Sequence, residues 1–388
     1  MIQLVFSDAQ YWEDFLPLTY TRPIAEMRVG SLTFRERWEK LLGFSESFYY
    51  TEKYLQDKYP EPKALESLLI VPNFLPSEKL LQQIKDLQFG EALVYQHELV
   101  AARVNLENFN IGQIEKMTDV EDEDLVIFKK PWDLFTYNDK AIRFDFDLLT
   151  KGRKSQEIST TNFINGSKEE IFIEEGVEME FVFLNTKKGP IYIGKDAEIQ
   201  QGVMLAGPLA IGEHAVMKMG AKIYGATTFG PYAKICGEVS NVVIFGYSSK
   251  GHDGYLGNSV LGEWCNLGAG TCTSNLKNNY ALVKMWSYKD KSFIDTGLQF
   301  CGSVMGDHVK TAINTTINTG TTIGVAANIF QSGFAPHLVE NFSWGGRNDS
   351  PKFQLERAYE TAKTMMARRS IDLTQEDKEI LKFIDQKF

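Results

Sequence analysis

The stretches Ser248-Ser-Lys-Gly-His-Asp-Gly-Tyr-Leu-Gly257 and Asn266-Leu-Gly-Ala-Gly-Thr-Cys-Thr-Ser-Asn275 hold the residue types of this chain best suited to chemistry. They bring together His252, Tyr255, Asn266 and Asn275. Imidazole, with an unperturbed pKa of ~6.5, exchanges a proton near neutral pH. Of the five histidines, His97, His214 and His337 read as satisfied loop residues. His308, in Gly306-Asp-His308, reads either as an exposed corner residue or as one lining a neighbouring subunit's groove. No two histidines are close enough in sequence to suggest a zinc site built from adjacent coils. Lys250 and Lys284 are candidates to hold a phosphate, against the ordinary alternative of solvated surface lysines.

What positions these residues is a repeat. Ile193, Ile199, Leu205, Ile211, Met217, Ile223, Phe229 and Ile235 are apolar at an unbroken period of six, and small or β-branched residues mostly follow four positions after each. Six residues per strand and turn, three units per coil, is the signature of a left-handed parallel β-helix. Ile193-Gly194, Ile211-Gly212 and Phe229-Gly230 recur one coil apart, and the phase returns at Leu261 and from Met305 to Ile329. The phase breaks at 185–190, 241–255 and 275–296, where corner insertions are expected.

Residues 1–150 alternate strand and helix, with strands at 3–6 and 68–71 and helices at 31–42 and 77–87, which predicts an α/β domain. A linker is expected at 151–170, the β-helix at 171–345 and a helical tail at 350–388. In the tail Ser350-Pro351 and Thr374-Gln-Glu-Asp377 read as helix starts; these helices are expected to pack on the rod with no role in chemistry.

The net charge is −10, from 41 Lys+Arg against 51 Asp+Glu, and no dense basic block is present, which argues against a nucleic-acid partner. The absence of a long apolar stretch argues against a membrane span. Four cysteines without a C-x-x-C pair, and a beginning without a basic region leading into an apolar one, suggest a reducing cytoplasm.

The H-x-x-Y-L-G and N-x-G-A-G-T blocks between His252 and Thr271 resemble the acetyltransferase half of the bifunctional N-acetylglucosamine-1-phosphate uridylyltransferase/glucosamine-1-phosphate N-acetyltransferase family. Through Pro17-Leu-Thr-Tyr-Thr-Arg-Pro23, Gly237-Glu-Val-Ser-Asn241, Gly306-Asp-His308, Ile313-Asn-Thr315 and Phe342-Ser-Trp-Gly-Gly346, the chain resembles a Bacteroidetes-type variant of it along nearly its whole length. The resemblance implies an acetyl-CoA-dependent N-acetyltransferase acting on an amino-sugar phosphate, with His252 as general base for the attacking amine and Glu238 orienting the imidazole. It further implies that Tyr255, Asn266 and Asn275 line the sugar site, that the Ala269 N–H faces the thioester oxygen, and that Ser303 lies near the coenzyme A arm. A homotrimer is expected. Ser240 stands where the family has a phosphate-binding lysine, so Lys222, Lys234 or Lys250 must supply that contact, or the acceptor is another amino sugar.

The N-terminal domain resembles a shortened sugar nucleotidylyltransferase. Its first strand leads into Ser7-Asp-Ala-Gln-Tyr-Trp-Glu-Asp14 in place of a glycine-rich phosphate loop. Arg22, Arg28 and Arg35 are candidates for a phosphate cluster, with ion pairing to Glu26, Glu36 and Glu39 as the alternative. Asp133, Asp145 and Asp147 are the candidates for Mg2+, which is needed only if this domain transfers a nucleotide from a nucleoside triphosphate to a sugar phosphate. The competing readings are a nucleotidylyltransferase with a purely structural β-helix and a non-catalytic sugar-nucleotide-binding scaffold.

Overall fold

In the computed structural model, which describes residues 2–8, 10–63, 66–106, 114–122 and 125–388, the hexapeptide pattern forms a parallel β-solenoid with three walls. Ala9, within the segment that replaces the glycine loop, lies outside the described residues. The periodic residues point inward and make one continuous core from Ile171 to Val339. The recurring glycines mark where coils touch: a Cβ on Gly212 would stand 2.7 Å from the Gly230 carbonyl carbon, and one on Gly230 would stand 1.7 Å from the Phe245 carbonyl oxygen.

The phase breaks have different physical forms. The last, at 275–296, is an insertion carrying a hairpin of Lys284–Ser287 and Ser292–Asp295. The break after Asn241 is a shortened coil rather than the expected insertion. Phe229 pairs with Ile244, 15 residues on, whereas Ile211 pairs with Phe229, 18 on. The corner is tightened there because one strand, Glu238–Gly246, runs through it with Asn241 at φ 56°. The expected linker is partly solenoid as well: Phe163–Asn165 pairs with Phe183–Asn185, and Gln156 N–H donates to the Ile173 carbonyl at 2.8 Å, so this segment caps the first coil.

The N-terminal domain holds a six-stranded mixed sheet made of β1 (Gln3–Ser7), β2 (Ser47–Tyr50), β3 (Ser67–Ile70), β4 (Glu91–Tyr95), β5 (Glu98–Val104) and β6 (Lys116–Asp119), in the order β2-β1-β3-β5-β4-β6. Helix α1 (Phe34–Leu42) starts at a capping box, with the Glu36 N–H donating to Thr33 Oγ1 and the Thr33 N–H donating to the Glu36 carboxylate. Helix α2 (Glu78–Asp86) starts at Ser77, whose hydroxyl accepts from the Leu80 N–H. Helix α3 (Asn138–Thr150) closes the domain. Arg37 of α1 and Asp145 of α3 form a 2.7 Å ion pair with both side chains fully buried, and Asp145 also accepts from the Ser31 and Leu32 amides.

The two halves share one core. Val243, Phe245, Val260 and Val304 on the outside of the solenoid's first wall, with Val283 and Met285 of the inserted hairpin, pack into the same cluster as Leu4, Phe6 and Phe15. Polar groups fix the register of this contact: Asn138 accepts from the Gly30 N–H and donates to the Ala226 carbonyl, and the Arg28 Nε donates to the Phe245 carbonyl. The Pro17–Pro23 motif forms this interface, with Arg22 paired to both Asp307 and Glu263.

Helix α4 (Leu355–Ala367) begins later than Ser350-Pro351 suggested. Trp344 N–H donates to the Pro351 carbonyl, so residues 350–353 run extended along the last coil before the helix can start. Helix α5 (Gln375–Lys387) starts at Thr374 with the capping box that the sequence indicates. Removing one partner of a buried ion pair strands the other charge, so Asp145→Ala is expected to lower unfolding free energy by about 3–5 kcal/mol, measured by denaturant titration; a loss under about 1 kcal/mol would show that Arg37 finds water.

Candidate active site

Three backbone turns stack at the corner between the second and third walls. They contain Cys236-Gly237, Gly251–Gly254 and Gly268–Gly270, and the Gly270 N–H donates to the Asp253 carbonyl at 3.0 Å while the Glu238 N–H donates to that of Gly254. His252 is exposed on the middle turn and Ala269 lies on the next. Asn266 is exposed on the second wall, in register with Ser249 and Lys310.

Tyr255 and Asn275 stand on the third-wall side of the same corner. The Asn275 amide donates to the Tyr255 hydroxyl at 2.9 Å and to Asn258 Oδ1 at 2.7 Å. This cluster explains the glycine of the Tyr-Leu-Gly motif, since a Cβ on Gly257 would stand 2.3 Å from the Tyr255 hydroxyl. Asn258 was not among the sequence candidates, although its spacing from Tyr255 puts both on one strand.

Other expected roles change. Glu238 accepts a 2.6 Å hydrogen bond from the Tyr224 hydroxyl, which pushes that phenol up to about 12, and it makes no hydrogen bond to His252 among the described residues. Ser303 is buried inside the solenoid, its N–H donating to Ser259 Oγ at 2.9 Å, rather than facing a groove. His308 is covered by the N-terminal domain and the α5 helix rather than lying in an open groove, and burial lowers its pKa well below the ordinary value. Lys284 stays exposed, 3.7 Å from Asp295.

Lys250 is not a surface lysine. It takes an interior position in the column Met217, Ile235, Lys250 and is 2% exposed. Its Nζ donates to the His252 carbonyl at 2.9 Å and the Cys236 carbonyl at 3.3 Å, so it ties the histidine's turn to the turn below it from inside. Burial lowers its pKa.

In the N-terminal domain, all three candidate arginines are ion-paired. Arg22 pairs with Asp307 and Glu263, Arg28 with Glu36, and Arg35 with Glu26 and Glu39. The carboxylates fit a metal no better. Asp145 is used by Arg37 and two amides, Asp133 accepts from the Lys129 and Lys130 amides, and Asp147 faces solvent. Among the described residues no three potential ligands gather around one point.

Beside His252 lies a groove of about 750 Å³ between the second wall and α4, lined by Lys218, Lys234, Tyr247, Asn266, Lys310 and Arg368 among others. Tyr247 belongs to a column of stacked rings, His214, Tyr232, Tyr247 and Trp264, all at positive φ on the corner between the first and second walls. Lys234, Ser249, Asn266 and Lys310 face outward from successive coils of the second wall, and the covering α4 is one of the two tail helices expected to pack on the rod.

The class defined by these observations is an α/β domain fused to a parallel β-solenoid, and residues 3–154 match the family described as sugar nucleotidyl transferase. The chain is similar to a bifunctional sugar-1-phosphate nucleotidylyltransferase/acetyltransferase of Sulfurisphaera tokodaii, 41% identical over 145 residues, which are 37% of this chain and 36% of that one. It is also similar to a bifunctional protein GlmU of Methanococcus aeolicus, 34% identical over 89 residues, 22% of this chain and 20% of the other. These matches support the GlmU-like family resemblance carried by the motifs. The matched segments span about a third or less of those relatives' own length. The solved acetyltransferase NeuO aligns with 54% of this chain and 94% of its own at 9% identity and a TM-score of 0.28, too slight a likeness to add to the fold.

Two outcomes test the lysines. Lys250→Met is expected to keep or raise the melting temperature while the Glu238 and Gly270 amides exchange hydrogen faster, because the tie to the His252 turn is lost; unchanged exchange would contradict that role. Burial pushes Lys310 down to about 8. The unfolded lysine titrates near ~10.4, so between these values the unfolded chain binds more protons and this residue makes stability rise with pH. In Lys310→Met, unfolding titrations across that window should show a flatter rise than wild type.

Proposed function

We propose that the chain is a transferase of amino-sugar nucleotide biosynthesis whose β-solenoid moves the acetyl group of acetyl-CoA to the amine of an amino-sugar phosphate of the glucosamine-1-phosphate class. His252 takes the ammonium proton, and the amine attacks the thioester carbonyl with release of coenzyme A as its thiol. The Ala269 N–H stabilises the oxygen on which negative charge develops. Asn266, Tyr255 and Asn275 bind the sugar.

The observation carrying this reading is the exposed His252 on a turn anchored from inside by Lys250, one coil from Ala269 and beside a cationic groove. A homotrimer is part of the proposal. Outward-facing Phe163, Phe183 and Met204 pair in one row of the third wall, an exposed apolar strip suited to a second copy.

A second reading, nucleotidyl transfer by the N-terminal domain, is favoured by the family match over residues 3–154. It would need residues other than Arg22, Arg28, Arg35 and Asp145, whose charges are already paired.

With acetyl-CoA and glucosamine-1-phosphate, wild type should release free thiol, and His252→Ala should lower kcat by about 10²-fold or more. Equal rates, or no release, would contradict the proposal. Pyrophosphate release from a nucleoside triphosphate and a sugar-1-phosphate would support the second reading.

A further inference from the structure

Lys218, Lys234, Lys310, Arg368 and Arg369 converge on one groove, yet none of them is within ion-pair distance of a carboxylate among the described residues, in a chain of net charge −10. The buried arginines of the N-terminal domain, Arg22, Arg28 and Arg37, are by contrast each paired with a carboxylate. The groove's one carboxylate, Glu360, pairs with Arg357 instead, at 3.1 Å. Lys218 donates to the Gly251 carbonyl and Lys310 to those of Trp264 and His308, which orients the two ammonium groups without neutralising them. Arg369 Nε is buried without a hydrogen-bond partner.

We propose that the groove between the second wall and α4 binds a ligand carrying two or more phosphate groups, held by Lys234 and Lys310 on the wall and by Arg368 and Arg369 on the helix side. Spacing and charge both favour several phosphates over one. Lys234, Ser249, Asn266 and Lys310 occupy successive coils in register, so the two lysines stand three strand spacings apart, roughly 14 Å. With the Lys310 Nζ held by the Trp264 and His308 carbonyls, a diphosphate with a further phosphate or a sugar attached spans that distance better than a single monophosphate does. The volume, about 750 Å³, is in the range of small-molecule sites. The Tyr247 ring is stacked on both faces, by Tyr232 and Trp264, so it offers the groove an apolar edge rather than a face.

Two sources share this chemistry: the nucleotide end of an acyl-coenzyme A and a nucleoside-diphosphate sugar. The site assignment does not depend on acyl transfer, because binding is read with ligands that do not react. Calorimetric titration of the full chain with coenzyme A, a uridine diphosphate sugar and inorganic pyrophosphate should show binding of at least one, weakening as salt is added. The Lys234→Ala/Arg368→Ala variant should lose at least about tenfold in that affinity, about 1.4 kcal/mol, with an unchanged melting temperature. Saturation by coenzyme A assigns the groove to the acyl donor, and saturation by the nucleotide sugar assigns it to that ligand. Failure of all three to bind, or an affinity indifferent to both substitutions, would overturn the proposal.

Discussion

Arg22 reaches out of the Pro17–Pro23 segment, lies over the Phe245 ring and pairs with Asp307 and Glu263 of the solenoid. A charge this deeply desolvated is tolerated only with its partners in place, so it fixes where the α/β domain sits. Around it Val243, Phe245, Val260 and Val304 give the first wall an apolar outer surface that the N-terminal domain and the inserted hairpin cover. With that wall occupied and the second roofed in part by α4, the corner bearing His252 and the third wall beyond it are left as working surface.

The same constraint explains why motifs far apart in sequence belong together. Pro17–Pro23 supplies Arg22, Gly306–His308 supplies Asp307, and Phe342 of the last coil shares a cluster with Trp12, Tyr20 and the α5 residues Ile380 and Ile384. These segments serve the junction between domains, and Arg22 is taken up in holding it.

The solenoid was legible because an inward residue every six positions fits neither the 3.6-residue period of a helix nor the two-residue period of an ordinary strand, and His252 stood out by its company. The outward positions hold a pattern that becomes visible only once the walls are assigned: valines and a phenylalanine outside the first wall lie on a covered face, and Lys234 and Lys310 outside the second on a cationic one. What sequence could not show was depth. Lys250 and Ser303 read as surface residues because one shortened coil and one long insertion shift the phase on which inside and outside are counted. Arg22 stayed ambiguous for a related reason, since its partners Asp307 and Glu263 lie far along the chain, whereas Arg28 and Arg35 take the neighbouring glutamates that the sequence offered as their alternative.

The central claim is that the His252 corner is where an acyl donor meets an amine. Crystals soaked with coenzyme A and an amino-sugar phosphate test it most directly. The account predicts the sugar amine within hydrogen-bond reach of the His252 imidazole, about 2.6–3.2 Å, and the coenzyme's sulfur near Ala269. Both ligands well ordered on another surface, with no His252 side chain near the amine, would contradict it.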